Sequence, residues 1–175
     1  MEDYEIEVGE GLMQDWLGKI REKPGEVVMV FLRPGGKVLL NTKEFYPHGT
    51  YRLPTGSMDQ GESPEEALVR EAQEETGFRV GIERKLGTIH WVFRHGADTV
   101  EFYSHVFLIP ETTDQPVVED PHEQITGYKE IGIRDLRKAG EELMNMTQRW
   151  HDWGVFRGLV HLYAYDKLCP RTSRT

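Results

Sequence analysis

The chain has a single cysteine, Cys169, among its 175 residues, so neither an internal disulfide nor a cysteine-based zinc site can form within it. A reducing, cytoplasmic location is the resulting expectation. It also lacks any apolar run approaching the ~18 residues that a membrane-spanning helix needs. Its opening "MEDYEIEVGEG" places acids where an export signal carries a basic and an apolar block. Basic residues are in short supply, with 21 Lys and Arg against 30 Asp and Glu, a net charge of −9. A surface that tracks phosphates needs the opposite excess, so general nucleic-acid binding and attachment to an acidic membrane are disfavoured; a local basic pocket stays open. His90 and His95 lack zinc-ligand spacing, and no HExxH, Walker loop or Gly-x-Ser-x-Gly elbow occurs.

What is present suits one core. The 38% hydrophobic and 29% charged content is that of a globular rather than a disordered chain, and the length is too short for two comfortable domains. The expected layout is an N-terminal helical extension over 1–25, a main domain over 26–140, and a C-terminal helical segment over 141–175 packed on that domain.

Leu12, Met13, Trp16, Leu17 and Ile20 recur at helical spacing, and the "KPG" at 23 to 25 stops the pattern. "EVVMVFLRPGGKVLLN" reads as a hairpin, and "TYRL" as a short strand closed by Pro54. "RKLGTIHWVFR" and "TVEFYSHVFLIP" form a second antiparallel pair, with Trp91, Phe93 and Tyr103 expected in the core. An acidic, proline-bearing loop follows over 110–124, then a strand in "TGYKEIGI". A terminal helix carries Trp150, Trp153, Phe156, Val160 and Tyr163 at steps of three or four. This order favours a mixed α/β sheet flanked by helices. The apolar stripes of the end helices cover either the core or the partner in a homodimer.

The chemistry concentrates on residues 63–77. Ser63 is a natural N-cap, Pro64 suits the first helical position, Glu66 completes a capping box, and Gly77 fits the exit. Within that helix Glu71, Glu74 and Glu75 share a ~100° arc, because steps of three and four return to nearly the same face. A solvated acidic face is the ordinary meaning of such a pattern. Here, however, Glu71 continues the row begun by Ala67, and Glu75 the row begun by Leu68, so they point toward the side that packs. Carboxylates crowded there repel one another, and Arg70 offsets one charge only. A hard divalent cation, Mg²⁺ or Mn²⁺, resolves the conflict because it prefers oxygen ligands. Upstream, the glycine-bearing loop of Gly56 and Gly61 can present backbone N–H groups to an anion before Glu62 at the helix mouth.

Together these residues match the Nudix box: Gly56, five residues, Glu62, seven residues, then Arg70, Glu71, Ala72, Glu74, Glu75, Gly77 and Phe78. With roughly one chance in fifteen per fixed letter, seven coincide at a given start with probability on the order of 10⁻⁸. The chain therefore resembles the Nudix hydrolases. Two departures stand out: Thr55 where a second glycine is common, and Glu130 where many members have tryptophan.

The resemblance implies an α/β/α sandwich with a mixed sheet. It also implies hydrolysis of a nucleoside diphosphate linked to another moiety, with ADP-ribose, NADH, dinucleoside polyphosphates, nucleoside triphosphates and nucleotide sugars all open. Carried over, Glu71, Glu74 and Glu75 ligate Mg²⁺ or Mn²⁺, Arg70 orients them, and Glu62 supports Arg70. The general base comes either from one of the box glutamates Glu71, Glu74 and Glu75 or from a later loop; the acidic loop offers Glu119, Asp120 and Glu123, and Glu123 is preferred because it precedes the returning strand. Phe45 and Tyr46 are candidates to stack on a base; Arg33, Arg52 and Arg94 are candidates for phosphate contacts. The alternatives are a non-catalytic nucleotide-binding or sensor member of the family, and an RNA-processing one.

Overall fold

The computed structural model describes residues 1–23 and 25–170, with the side chains of residues 16–18 and 21 outside that description. The expected contacts of Trp16 and Leu17, and Pro24 of the helix stop, thus fall outside the described residues. The strands are β1 (Glu2–Glu7), β2 (Gly25–Arg33), β3 (Lys37–Lys43), β4 (Thr55–Ser57), β5 (Arg84–His95), β6 (Asp98–Ile109) and β7 (Ile125–Gly132). The helices are α1 (Glu10–Glu22), α2 (Pro64–Thr76), α3 (Leu136–Met144) and α4 (His151–Leu168). Among the described residues the strands form one seven-stranded sheet in the order β1-β5-β6-β2-β3-β7, with β4 also paired to β2. It is mixed: β1–β5 and β2–β6 run parallel, the other pairs antiparallel.

Strand β2 shows why the sheet is covered on both faces. Val27 through Phe31 are all fully buried, which a strand with one wet face cannot achieve. Its alternation divides the core in two. Val27, Met29 and Phe31 join Ala67, Leu68 and Ala72 of α2 on one face. Val28 and Val30 join Phe156, Val160 and Ala164 of α4, with Met13 and Ile20 of α1, on the other. Phe156 meets Trp91 and Phe93 edge-on at 4.7 and 5.4 Å between centroids. The expected α/β/α sandwich is therefore present.

Three expectations are corrected. The first seven residues, read only as an acidic start to a helical extension, hold β1. Tyr4 and Ile6 pack on the core, while Glu5 pairs with Arg94 at 2.6 Å and Glu2 with Lys167 at 2.8 Å. Partners distant in sequence neutralise the acids that hide the period-two pattern. The strand expected at "TYRL" lies after Pro54 instead: Arg52 makes only an isolated bridge to Asn41. β4 begins at Thr55, and Pro54, which has no N–H to give, accepts from Met29 N–H at 2.9 Å. Tyr103 is half-buried on the face opposite Phe102 and stacks on His90 at 4.7 Å. β1 edges the sheet, and the α4 stripe packs inside the chain's own core. Among the described residues no helix is long and apolar enough to cross a membrane.

Candidate active site

Helix α2 begins and ends as its sequence dictates. Ser63 Oγ accepts from Glu66 N–H, the Glu66 carboxylate reaches back to Ser63 N–H, and Gly77 exits in the left-handed region at φ 72°. The stripe that packs on the sheet is Ala67, Leu68 and Ala72, and Glu71 and Glu75 lie on it at 5% and 0% exposure. Glu74 sits at the edge of the stripe and remains partly exposed.

Gly56 is the counterpart of this placement. It lies in β4 opposite Val27 of β2, and a Cβ built on it would fall 2.1 Å from Cγ and Cδ of Glu71. The first glycine of the box makes room for a glutamate rather than merely bending a loop. Arg70 then holds the carboxylates. Its Nε and Nη2 donate to Glu62 at 2.9 Å each, and its Nη1 donates to Glu71 at 2.8 Å and to Glu74 at 3.2 Å. Hydrogen bonding by Arg70 depresses the Glu62 pKa, so Glu62 anchors the arginine as an anion.

Glu123 arrives from the acidic loop. Backbone N–H groups of Val117, Glu119 and Asp120 donate to the carbonyls of Thr76 and Glu74, lacing that loop to the C-terminal end of α2. Glu119 is engaged by Gln73, and Asp120 caps the short turn Pro121–Glu123. Of the three candidate bases in that loop it is Glu123 that reaches Glu71 and Glu74: one ligand oxygen from each of Glu71, Glu74 and Glu123 lies within 4.8 Å of the others. This set could hold a divalent ion.

Glu75 takes a different position. Its Oε2 accepts from Asn41 Nδ2 at 3.0 Å. Its Oε1 has no hydrogen-bond partner among the described residues and lies 3.9 Å from Lys43 Nζ. Lys43 also donates to Glu123 at 3.0 Å, so one ammonium ties Glu75 to Glu123. Asn41 and Lys43 carry no sequence signal for this role. Lys43 is aimed there by a bulge in the β3–β7 ladder between Thr42 and Lys43.

Burial pushes the Glu71 pKa up to about 7 despite the Arg70 contact, and that of Glu75 up to about 8 despite Lys43 and Arg52. Both lie above the unfolded value of 4.5, so the folded chain binds more protons than the unfolded one between these limits. The contribution of these two groups to the stability of the metal-free protein is therefore fully present below the unfolded value of 4.5 and is lost as pH rises through about 7 and 8. Thermal melts in a chelator should show this decline, and Mn²⁺ should reverse it most at the alkaline end, where ligand deprotonation is free. A melting temperature that rises with pH across this window would contradict the assignment.

Behind the carboxylates lies a cavity of ≈ 500 Å³ whose wall includes Glu71, Glu123, Gly56, Arg52, Phe45 and Trp153. Phe45 is 53% exposed at its rim. Tyr46, expected alongside it as a stacking surface, is instead buried against Trp153 at 4.9 Å, with its hydroxyl accepting from Arg52 Nε. It builds the wall. Arg33 is spent on Glu130 at 2.7 Å and on the Thr112 carbonyl, and Arg94 on Glu5. Neither adjoins the cavity. Thr55, the departure from the family pattern, accepts from Arg52 Nη1 at 2.8 Å.

The deep side of the cavity holds residues that sequence reading missed. Arg157 donates to both Glu26 oxygens at 2.8 and 3.0 Å, Ser104 donates to Glu26, and Trp91 Nε1 donates to Ser104. His161 accepts from Leu53 N–H and faces the Arg157 carbonyl through Nδ1, and burial drops its pKa to about 4. Glu26 and Arg157 are 131 positions apart, beyond the reach of any local pattern.

Comparison with known proteins follows this geometry. The NUDIX domain family model matches residues 23–158. The ADP-ribose pyrophosphatase of Bacillus subtilis (strain 168) is 29% identical over 148 residues, 81% of this chain and 74% of that protein. The low-salt glycan biosynthesis protein Agl8 of Haloferax volcanii is 28% identical over 120 residues, 66% of this chain and 77% of that protein. The NAD-capped RNA hydrolase NudC of Pseudomonas aeruginosa is 35% identical over 75 residues, but the match spans only 26% of NudC. Among solved structures, a MutT protein from Methanosarcina mazei Go1 superposes with a TM-score of 0.54 at 19% identity, covering 84% of this chain and 96% of that one. The E. coli dihydroneopterin triphosphate pyrophosphohydrolase superposes at 0.51 and 18% identity, covering 75% and 90%. At these identities the structural likenesses speak to fold alone.

Proposed function

Because the chain belongs to the NUDIX domain family, a family of pyrophosphohydrolases, we propose that it hydrolyses the pyrophosphate bond of a nucleoside diphosphate joined to another moiety, dependent on Mg²⁺ or Mn²⁺. The observation that carries this is the approach of Glu71, Glu74 and Glu123 to within 4.8 Å beside the cavity.

The residues present suit such an ion. The donor set is all carboxylate oxygen, the preference of Mg²⁺ and Mn²⁺ rather than of softer metals. Burial of Glu71 and the unsatisfied Oε1 of Glu75 mark a place short of positive charge. Glu71, Glu74 and Glu75 are the proposed ligands; Glu123 joins Glu71 and Glu74 in the cluster, and Glu75 stands beside it against Asn41 and Lys43. When bound, the ions neutralise charge on the diphosphate oxygens and lower the pKa of a bound water.

The protein's own groups do the rest. Arg70, locked by Glu62, fixes Glu71 and Glu74 in their approach. Glu123, which accepts from Lys43 and lies near Glu71 and Glu74, is the proposed base for the water attacking phosphorus. In-line displacement then depends on positioning and electrostatics more than on covalent chemistry. Phe45, at the rim, offers a face for the base, while Gly56 and Arg52 line the route inward.

The test is a panel of ADP-ribose, NADH, dinucleoside polyphosphates, nucleoside triphosphates and nucleotide sugars with Mg²⁺ or Mn²⁺, products separated by chromatography. At least one substrate should release a nucleoside monophosphate or inorganic (pyro)phosphate, and EDTA should stop it. Binding across the panel without any cleavage would replace this reading with that of a sensor.

A further inference from the structure

Resting on the pyrophosphohydrolase reading, we propose that the cavity behind the carboxylates contains a second anion subsite, built around Arg52, for a third phosphoryl group of the substrate beyond the diphosphate held at Glu71, Glu74 and Glu123. Three of the cavity's cations are spent on carboxylates. Arg157 is paired with Glu26 at 2.8 Å, Lys43 with Glu123 at 3.0 Å, and Lys23 with Asp59 at 3.0 Å. Arg52 is different. It is 4% exposed, and its hydrogen bonds go to Tyr46 Oη, Leu53 O and Thr55 Oγ1, each at 2.8 Å. All three acceptors are neutral.

Those bonds use Nε and Nη1. Among the described residues Nη2 makes no hydrogen bond and Arg52 forms no ion pair; Glu75 and Glu26 act on it only at longer range. A guanidinium does not shed its proton, and a buried charge is costly unless it is paired. The neutral acceptors also hold the guanidinium rigid, so its remaining N–H groups, both on Nη2, are pre-oriented to donate charge-assisted bonds to an oxyanion. A second cation points the same way: Lys19, exposed on α1, lines the cavity and forms no ion pair among the described residues. In the cavity that also holds the candidate metal carboxylates, Arg52 and Lys19 are thus the lining cations that make no bond to a carboxylate among the described residues, and they are the groups a ligand carrying more charge than a diphosphate would meet.

The third phosphoryl group can extend the chain, as in a nucleoside triphosphate or dinucleoside polyphosphate, or sit on a ribose, as in NADPH. The experiment compares kcat/KM for ATP against ADP-ribose and for NADPH against NADH. The wild-type protein should favour the more phosphorylated member of one pair by about tenfold or more, and the pair that shows it identifies the source. Arg52→Gln should reduce that preference about tenfold, with Arg52→Lys recovering part of it, and Lys19→Gln should reduce it about threefold. Inorganic tripolyphosphate should bind more tightly than pyrophosphate, a difference that K19Q narrows; this reads the subsite even if no substrate is cleaved, and the exposed Lys19 serves if R52Q does not fold. Equal kcat/KM within both pairs, equal losses on both members in R52Q and K19Q, or equal binding of tripolyphosphate and pyrophosphate would each overturn the proposal.

Discussion

Protein carrying Glu74→Gln together with Glu75→Gln should fold and yet lose at least about 10³-fold of its metal-dependent turnover. The size follows from what is removed: a divalent ion supplies several kcal/mol of charge stabilisation at the transition state, and each 1.36 kcal/mol is tenfold in rate. Survival of the fold follows from how the two side chains sit. Glu74 is partly exposed and accepts one bond, from Arg70 at 3.2 Å, which a glutamine carbonyl can also accept. Glu75 is wholly buried with a pKa pushed up to about 8, so a neutral isostere relieves the cost of a desolvated charge while keeping the Asn41 contact. In chelator at pH 8 the double variant should therefore melt at or above the wild-type temperature. Turnover within tenfold of wild type, with Mg²⁺ still required, would remove both glutamates from the proposed chemistry.

Gly56→Ala should damage the site by a single methyl group. The new Cβ would sit 2.1 Å from Cγ and Cδ and 2.3 Å from Oε2 of Glu71, well inside contact distance. Glu71 cannot easily withdraw, because Arg70 holds its other oxygen at 2.8 Å and Leu68 and Ala72 hold α2 on the sheet. Either the carboxylate leaves the cluster or β4 lifts from β2. Overpacking of this kind costs about 1–3 kcal/mol of stability, and displacing the support of a metal ligand costs about 10–100-fold in metal affinity or activity. Gly56 is not held at positive φ, so the penalty is one of volume alone, and Gly56→Ser should be at least as harmful. Mn²⁺ titration and thermal melts check both effects; a variant that matches wild type in each would show that Glu71 does not depend on this contact.

The candidate site was legible where chemistry follows the chain. Ser63, Glu66 and Gly77 bound α2 by local rules of capping, and the spacing of Glu71, Glu74 and Glu75 follows from helical pitch. Glu123 was reachable as one of three candidate acids in one loop, but the bonds from Val117, Glu119 and Asp120 to the end of α2 are what select it. Tyr46 and Phe45, adjacent and alike in sequence, part company because Trp150 and Trp153 of a distant segment claim Tyr46. The strand β1 was hidden for a related reason: its acids are tolerated by Arg94 and Lys167, far along the chain.

Sequence alone determined the α2 helix with its carboxylate face, the buried β2 strand, the β5–β6 pair and the family of the chain, because each depends on periods and spacings within some 25 residues. Tertiary structure alone decided that Glu71 rests on Gly56, that Lys43 binds Glu75 to Glu123, and that Arg157 is bonded to a carboxylate while Arg52, among the described residues, is bonded to neutral acceptors. Those outcomes turn on which charges meet across the sheet. The cost of an unpaired charge is set by the burial and partners that only the closed fold supplies.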